Sequence, residues 1–216
     1  DMTALSTRPT ATKRKAPAPT GPNEKPREDN RVLFYEGDRI YFRPIELEDE
    51  TLLRQWINNP KNWRTLHRRG PINSVREQEW IESLGKSPTD IVFGIVVKAN
   101  DQLIGTTGLH GINNITRKAE FGICVGNVDQ QSKGYGTEAV KLAVRYGFEV
   151  LNLNRIALHV FSNNFRAILA YQRAGFVHEG CQRQAGFIEG RYEDVYQFAI
   201  LREEWEQQKG GGATND

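Results

Sequence analysis

Two glycines one residue apart, in the run Gln131-Ser132-Lys133-Gly134-Tyr135-Gly136-Thr137, stand between an apolar strand-like segment and a long amphipathic helix. Glycine tolerates positive φ and lets a ligand approach the main chain closely. A helix that begins directly behind it presents unpaired N–H groups and a partial positive charge. That combination favours an anion, and phosphate or pyrophosphate is its natural occupant. The spacing excludes other phosphate binders. No G-x-x-x-x-G-K-[ST] run occurs, so this is not a Walker loop. Ala139 stands three residues after Gly136, which leaves only the G-x-G-x-x-A form of the dinucleotide fingerprint. The acidic residue which that fingerprint wants further on is missing, because the next strand ends in Phe161-Ser162-Asn163-Asn164. Without its surroundings the loop also fits a tight strand-to-helix turn.

The surroundings narrow the choice. A helix is expected over Thr137–Val150, with Ala139, Val140, Ala143, Val144 and Phe148 at helical spacing. A strand, Arg155–Phe161, follows with Ile156, Leu158 and Val160 on one side. Asn164 is placed to cap the next helix and Gly175 to end it. Gln131, Gly134 and Gly136, then Asn164, Ala167, Tyr171, Gly175 and Phe176, match in order and spacing the two motifs Q/R-x-x-G-x-G/A and N-x-x-A-x-x-x-Y-x-x-x-G-F. On these residues the chain resembles the GNAT superfamily of N-acetyltransferases, from about Ile40 to Leu201. Gly180-Cys181-Gln182-Arg183-Gln184 with Gly190-Arg191-Tyr192-Glu193-Asp194 is similar to the closing hairpin of the subgroup that holds ribosomal-protein N-terminal acetyltransferases and spermidine N-acetyltransferase.

The resemblance implies an α+β fold layered α/β/α. It has a mixed, mostly antiparallel sheet of about seven strands with a splayed central pair, and about four helices. A walk along the chain gives the same order. Arg39–Pro44 alternates as a first strand. Leu47–Ile57 reads as a helix, and Ser74 as the cap of a second, Val75–Leu84, with Glu77 completing a capping box. Ile91–Val97, Leu103–His110 and Lys118–Val125 read as strands. Two more, near Val177–Ala185 and Tyr192–Leu201, flank the turn Glu189-Gly190.

Length and composition suit one such domain. The chain has 216 residues, 38% of them hydrophobic, enough for a single core. Residues 1–30 are rich in Pro, Thr, Ala and Lys without apolar periodicity, so a disordered tail is expected ahead of a domain over 31–205. A flexible tail is expected over 206–216. Lys13-Arg14-Lys15 reads as a solvated triplet, and the remainder is close to neutral, so no nucleic-acid partner is expected. No apolar run approaches the ~20 residues that span a bilayer, and no signal-peptide pattern stands at the start. No membrane partner and a reduced cytoplasmic setting are therefore expected. Cys124 and Cys181 form no C-x-x-C pair, which argues against a zinc cage. No metal is expected, and both cysteines read as buried small hydrophobes.

The resemblance assigns the chemistry. Acetyl-CoA is the implied co-substrate, its pyrophosphate on the backbone of Ser132, Lys133, Gly134, Tyr135, Gly136 and Thr137, with Gln131 opening the motif. The pantetheine amides would pair with the splayed strand at Ile123, Cys124 and Val125, and Asn164 would hydrogen-bond the arm from the other side. Transfer is direct: an amine attacks the thioester and thiolate leaves. Tyr171 matches the tyrosine that protonates the thiolate in this family, against the plainer reading of a core tyrosine. The oxyanion would meet an N–H near Ile123 or Cys124. Glu120 alternates with Gly122 and Cys124 on the bordering strand and is the candidate base, against the plainer reading of an exposed strand charge or a partner of Lys118. His110 is a second candidate, and ordered water a third.

The acceptor is less constrained. A small-molecule amine or a peptide N-terminus is expected: a protein N-terminus, an amino sugar or a polyamine. A polyamine needs an acidic pocket, whereas Trp63, Arg64, His67, Arg68 and Arg69 make a basic loop. That loop suits an acidic or phosphate-bearing acceptor, or is only a solvated basic loop. The second reading of the whole chain is a non-catalytic acetyl-CoA-binding module. Against it stands Tyr171, which a mere binder does not need. Exposed sheet edges are often paired, which leaves room for a homodimer.

Overall fold

A computed structural model of the chain describes residues 32–66 and 70–210. Its eight strands are β1 (Tyr35–Glu36), β2 (Ile40–Arg43), β3 (Ile91–Val97), β4 (Gln102–Asn113), β5 (Lys118–Cys124), β6 (Arg155–Phe161), β7 (Val177–Ile188) and β8 (Arg191–Leu201). They form one sheet in the order β1-β2-β3-β4-β5-β6-β8-β7. The helices are α1 (Glu50–Asn58), the short α2 (Pro60–Trp63), α3 (Ser74–Leu84), α4 (Tyr135–Glu149), α5 (Phe165–Arg173) and α6 (Arg202–Gly210).

Period-two alternation divides the strands between two cores. Ile40, Phe42, Phe93, Ile95, Leu109, Phe121, Ile156 and Leu158 join Ala139, Val140, Ala143, Val144 and Phe148 of α4 in the larger one. Tyr41, Val96 and Leu103 point the other way, against Leu53 and Trp56 of α1 and Ile81 of α3. Helices therefore cover both faces, and each fully buried Phe or Leu contributes roughly 1.5–3 kcal/mol. The entry to α1 is fixed by Arg43, whose guanidinium grips both Asp49 oxygens at 2.7 and 2.8 Å. Arg43 is the main cause that holds the Asp49 carboxyl below the usual carboxylate range, against the burial that would raise it.

All pairings are antiparallel except β5 with β6, which is parallel and covers only Lys118↔Arg155, Ala119↔Ile156 and Glu120↔Ala157. Beyond Glu120 the two strands part, while β5 stays paired to β4 as far as Thr106↔Cys124. The expected splayed pair is present.

Several boundaries differ from the sequence reading. Tyr35–Glu36 adds an eighth strand too short to show a period. α3 is capped by Asn73, whose side chain accepts from Arg76 N, and Ser74 is already helical. The helix therefore starts one residue earlier, and Glu77 is a buried residue inside it. α6 carries the fold to Gly210, past residue 205 where the domain was expected to end. The N-terminal 1–30 segment and residues 211–216 lie outside the described residues. Cys181 is exposed and Cys124 half-buried, not core residues. The reason for Cys181 is that β7 is an edge strand whose outer positions nothing covers.

Gly126 ends the run of β5 under the Trp56 indole, where a Cβ would come within 2.4 Å of the ring. Overpacking of this kind costs roughly 1–3 kcal/mol. Gly126→Ala should destabilise the fold by about that amount in urea denaturation, with Trp56 displaced.

Candidate active site

Where β5 and β6 part, a cleft of about 560 Å³ opens. Its walls include Gly122–Val125 of β5 and its end, Val160 and Phe161 of β6, the loop before α4, and α5. The free edge of β5 beyond Glu120 leaves backbone polar groups to be satisfied by water or a ligand. An extended molecule with amides of its own fits that edge.

The glycine loop forms one end. Gly134 is the N-cap of α4 at φ 87°, and Ser132 also lies at positive φ, 61°. Successive backbone N–H groups turned this way make an anion-binding hollow at a helix N-terminus. Ser132, Gly134, Gly136 and Thr137 line the cleft. Lys133 and Tyr135 do not. Lys133 Nζ is held by Gln130 Oε1 at 3.1 Å, and Tyr135 lies under the Arg39 guanidinium at 4.8 Å. Glu138, in the first turn of α4, would repel a phosphate if it faced the loop. It is turned back onto Arg39, accepting from Arg39 N at 2.7 Å and Nε at 2.9 Å. Arg39 Nη1 also donates to Lys133 O at 3.1 Å and so braces the loop.

Tyr171 is 7% exposed and lines the cleft, its ring against Phe121 and Phe176. Its neighbours are apolar, and burial alone pushes the phenol up to about 12. The hydroxyl therefore stays protonated at neutral pH. Glu120 also lines the cleft, at the fork itself, with His159 Nδ1 at 3.8 Å from Oε1. His110 does not line it. That ring lies over Gly108 and Gly122, with Nδ1 at 3.4 Å from Asp90 Oδ1. The Asp90 carboxyl is held below its usual range by the Ser87 hydroxyl and the Gly111 N–H.

Asn164 lines the cleft and spends its Oδ1 on capping α5 through Ala167 N, at 3.3 Å. Gln131 also lines it, but its amide is engaged within the protein. Nε2 donates to Val125 O at 2.7 Å and Asn62 Oδ1 at 3.1 Å, and Oε1 accepts from Arg166 at 2.8 Å. On the acceptor side Thr65 and Leu66 contribute to the wall. Arg64 does not, being paired with Glu189 at 2.7 Å. His67, Arg68 and Arg69 lie outside the described residues.

Sequence reasoning passed over Asn62, His159 and Arg166. His159 had a signal, since it alternates with the apolar Leu158 and Val160 of β6. Asn62 had none: it stands in a polar stretch of sequence, yet α2 buries it to 2% exposure. Among the described residues no group of three or more His, Cys, Asp or Glu is arranged to hold a metal. No described helix is long and apolar enough to cross a membrane.

Comparison with known proteins agrees with this geometry. The family model described as an acetyltransferase (GNAT) domain matches residues 39–177. The spermidine N(1)-acetyltransferase of Vibrio cholerae is 40% identical over 169 residues, covering 78% of this chain and 96% of that protein. The uncharacterized N-acetyltransferase p20 of Bacillus licheniformis is 32% identical over 171 residues, covering 78% and 96%. Among solved structures, spermidine N-acetyltransferase from Vibrio cholerae in complex with CoA and spermine superposes with a TM-score of 0.73 and 29% identity, covering 78% of this chain and 98% of that one. A further structure of that enzyme, with a TM-score of 0.68, 30% identity and coverage of 79% and 98%, is dodecameric.

The buried phenol has a measurable consequence. An unfolded tyrosine ionises near 10.0, whereas Tyr171 in the fold ionises at about 12. Its contribution is thus complete below about pH 10 and is lost as pH rises towards about 12. Urea midpoints measured across this range should fall for the native chain. Tyr171→Phe should lessen the fall, and the remainder includes Tyr146, whose hydroxyl burial also raises.

Proposed function

The chain belongs to the GNAT acetyltransferase family and is an N-acetyltransferase with acetyl-CoA as co-substrate, and from that premise we propose that its acceptor is a primary amine on a small polycation of the polyamine class. One observation carries the catalytic reading. The anion hollow, the free edge of β5, the neutral phenol of Tyr171 and the carboxylate of Glu120 all open onto the same cleft.

The mechanism follows from what each group has to offer. The loop from Ser132 to Thr137 receives the pyrophosphate, and the N–H groups near Ile123 and Cys124 receive the pantetheine amides and the carbonyl oxygen. The amine nitrogen attacks the thioester carbon, giving a tetrahedral oxyanion that these N–H groups stabilise. The C–S bond then breaks, and Tyr171 gives its proton to the departing sulfur. The extra proton of the amine passes to Glu120, with His159 beside it to take up charge. Burial keeps the Tyr171 phenol neutral, so its proton is in place as charge develops on the sulfur.

The charge pattern favours a cationic acceptor. Among the described residues Glu120 has a histidine as its ion-pair neighbour, at 3.8 Å, and no guanidinium within ion-pair distance, which suits an ammonium. Arg64, the described part of the basic loop, is already neutralised by Glu189. This weakens the case for an acidic or phosphate-bearing acceptor as far as Arg64 carries it. The 40% identity to a spermidine N(1)-acetyltransferase supports the same class. Self-association belongs to this reading too. β7 lies at the edge of the sheet, and a relative of the same fold is dodecameric.

Thiol release from acetyl-CoA, measured across spermidine, spermine, short peptides, nucleotide-linked amino sugars and aminoglycosides, should be fastest with the polyamines. Preference for a peptide or an amino sugar would overturn the acceptor class. Absence of release from any of them, with acetyl-CoA still raising the melting temperature, would favour the binding-module reading. Tyr171→Phe should lower kcat by about 100-fold while CoA affinity in calorimetry changes little. Glu120→Gln should lower kcat/KM for the amine by about 10- to 100-fold. An unchanged pH profile in that variant would leave ordered water as the base.

A further inference from the structure

Gln131 holds the first position of the phosphate motif, yet its side chain has no donor to offer a phosphate. A carboxamide carries two N–H donors. One goes to Val125 O at 2.7 Å and the other to Asn62 Oδ1 at 3.1 Å. Its oxygen accepts from Arg166 on α5 at 2.8 Å. Asn62 is equally committed. Buried to 2% exposure, it donates to Gly126 O at 2.8 Å and Trp56 O at 3.0 Å. Five parts of the chain meet at these two amides: the end of α1, α2, the end of β5, the start of the phosphate loop, and α5.

Three residues beyond Asn62 the chain reaches Thr65 and Leu66, which form the acceptor-side wall of the cleft. Thr65 Oγ1 donates to Asn62 O at 2.9 Å and Thr65 N to the same oxygen at 3.0 Å. The segment is tied at its ends as well, Asn58 and Ile72 exchanging two hydrogen bonds of 2.8 Å. The acceptor wall thus hangs from Asn62, and Asn62 hangs from Gly126 O at the end of β5, from Trp56 O in α1 and from Gln131. Trp56, which packs on the smaller core, reaches this point over Gly126. A polar network whose centre, Asn62, is buried and satisfied rigidifies what it joins.

We propose that Asn62 and Gln131 are positioning residues that couple the two halves of the cleft, so that CoA seated in the phosphate loop steadies the acceptor wall at Thr65 and Leu66. The inference rests on the acetyl-CoA reading of the cleft. Its physical content is that fixing residues 132–137 fixes Gln131, which opens that loop, and through Gln131 fixes Asn62. By linkage the effect is reciprocal, and an amine against the wall tightens the hold on CoA.

Backbone hydrogen exchange, with CoA as the probe, tests this without knowledge of the acceptor. In the native chain CoA should slow exchange both at residues 132–137 and, by about tenfold, at residues 61–66. Gln131→Met keeps the length of the side chain and removes its donors. In that variant CoA should still bind and still protect 132–137, while 61–66 exchange as they do without CoA. Asn62→Ala should give the same pattern from the other side of the tie, and it decides the matter if Gln131→Met does not fold. A role confined to stability would lower protection equally with and without CoA. Undiminished CoA-induced protection at 61–66 in both variants would overturn the proposal, as would its absence in the native chain. Loss of CoA binding in Gln131→Met would also overturn it, by making Gln131 a direct ligand contact. If CoA neither binds the native chain nor protects 132–137, the reading of the cleft fails along with it.

Discussion

Strand pairing between β5 and β6 stops after Glu120 and Ala157, and the rest of the site is arranged around that interruption. A sheet that breaks its own ladder leaves backbone donors and acceptors to be satisfied by something else. Here the gap is bordered by an apolar wall that holds Tyr171 and by a loop that collects N–H groups. The break therefore selects its occupant, an extended chain with amides in the middle and negative charge at one end. The antiparallel partners of β5 and β6 are long strands, Gln102–Asn113 and Arg191–Leu201. β4 and β8 hold the two diverging strands in place from outside.

Pairing, more than composition, decides which charges the cleft can use. Glu138 stands in the first turn of the phosphate-binding helix, where a count of residues would predict repulsion, but Arg39 draws it away. Asp49 is drawn off by Arg43 and Glu50 by Arg54. Arg64 looks like an anion receptor in the sequence and is spent on a glutamate of the closing hairpin. After these cancellations Glu120 is a carboxylate at the fork whose ion-pair neighbour is a histidine. None of these partnerships joins sequence neighbours that a pattern could flag, apart from the i,i+4 pair Glu50–Arg54.

That difference between local and distant causes sets how much was legible beforehand. The turn at Gly134, the cap at Asn164, the stop at Gly175 and the alternation of β6 are each dictated within a few residues, and they were read correctly. The glycine turn, the helix and the strand come in the expected order because each makes its own local signal. The cap of α3 was misplaced by one residue because Asn73 and Ser74 are both good caps and only the backbone chooses between them. Cys181 was misjudged because alternation implies burial only when something covers the strand. Gln131 was found for the right motif, but its partners Asn62 and Arg166 stand 69 and 35 residues away. Only the folded chain brings these together.

The sheet keeps its two hydrophobic layers apart. One side packs on α4 and α5, the other on α1 and α3, and the strands between them act as a partition. Substitutions in separate layers share few neighbours, and their effects should therefore add with little interference. A lineage with this layout is free to vary the helices of one layer while the other stays as it is. New specificities then arise by drift on one side of a wall, without rebuilding the chemistry on the other. The polar knot at Asn62 and Gln131 crosses that wall, and it marks a place where the two histories cannot be independent.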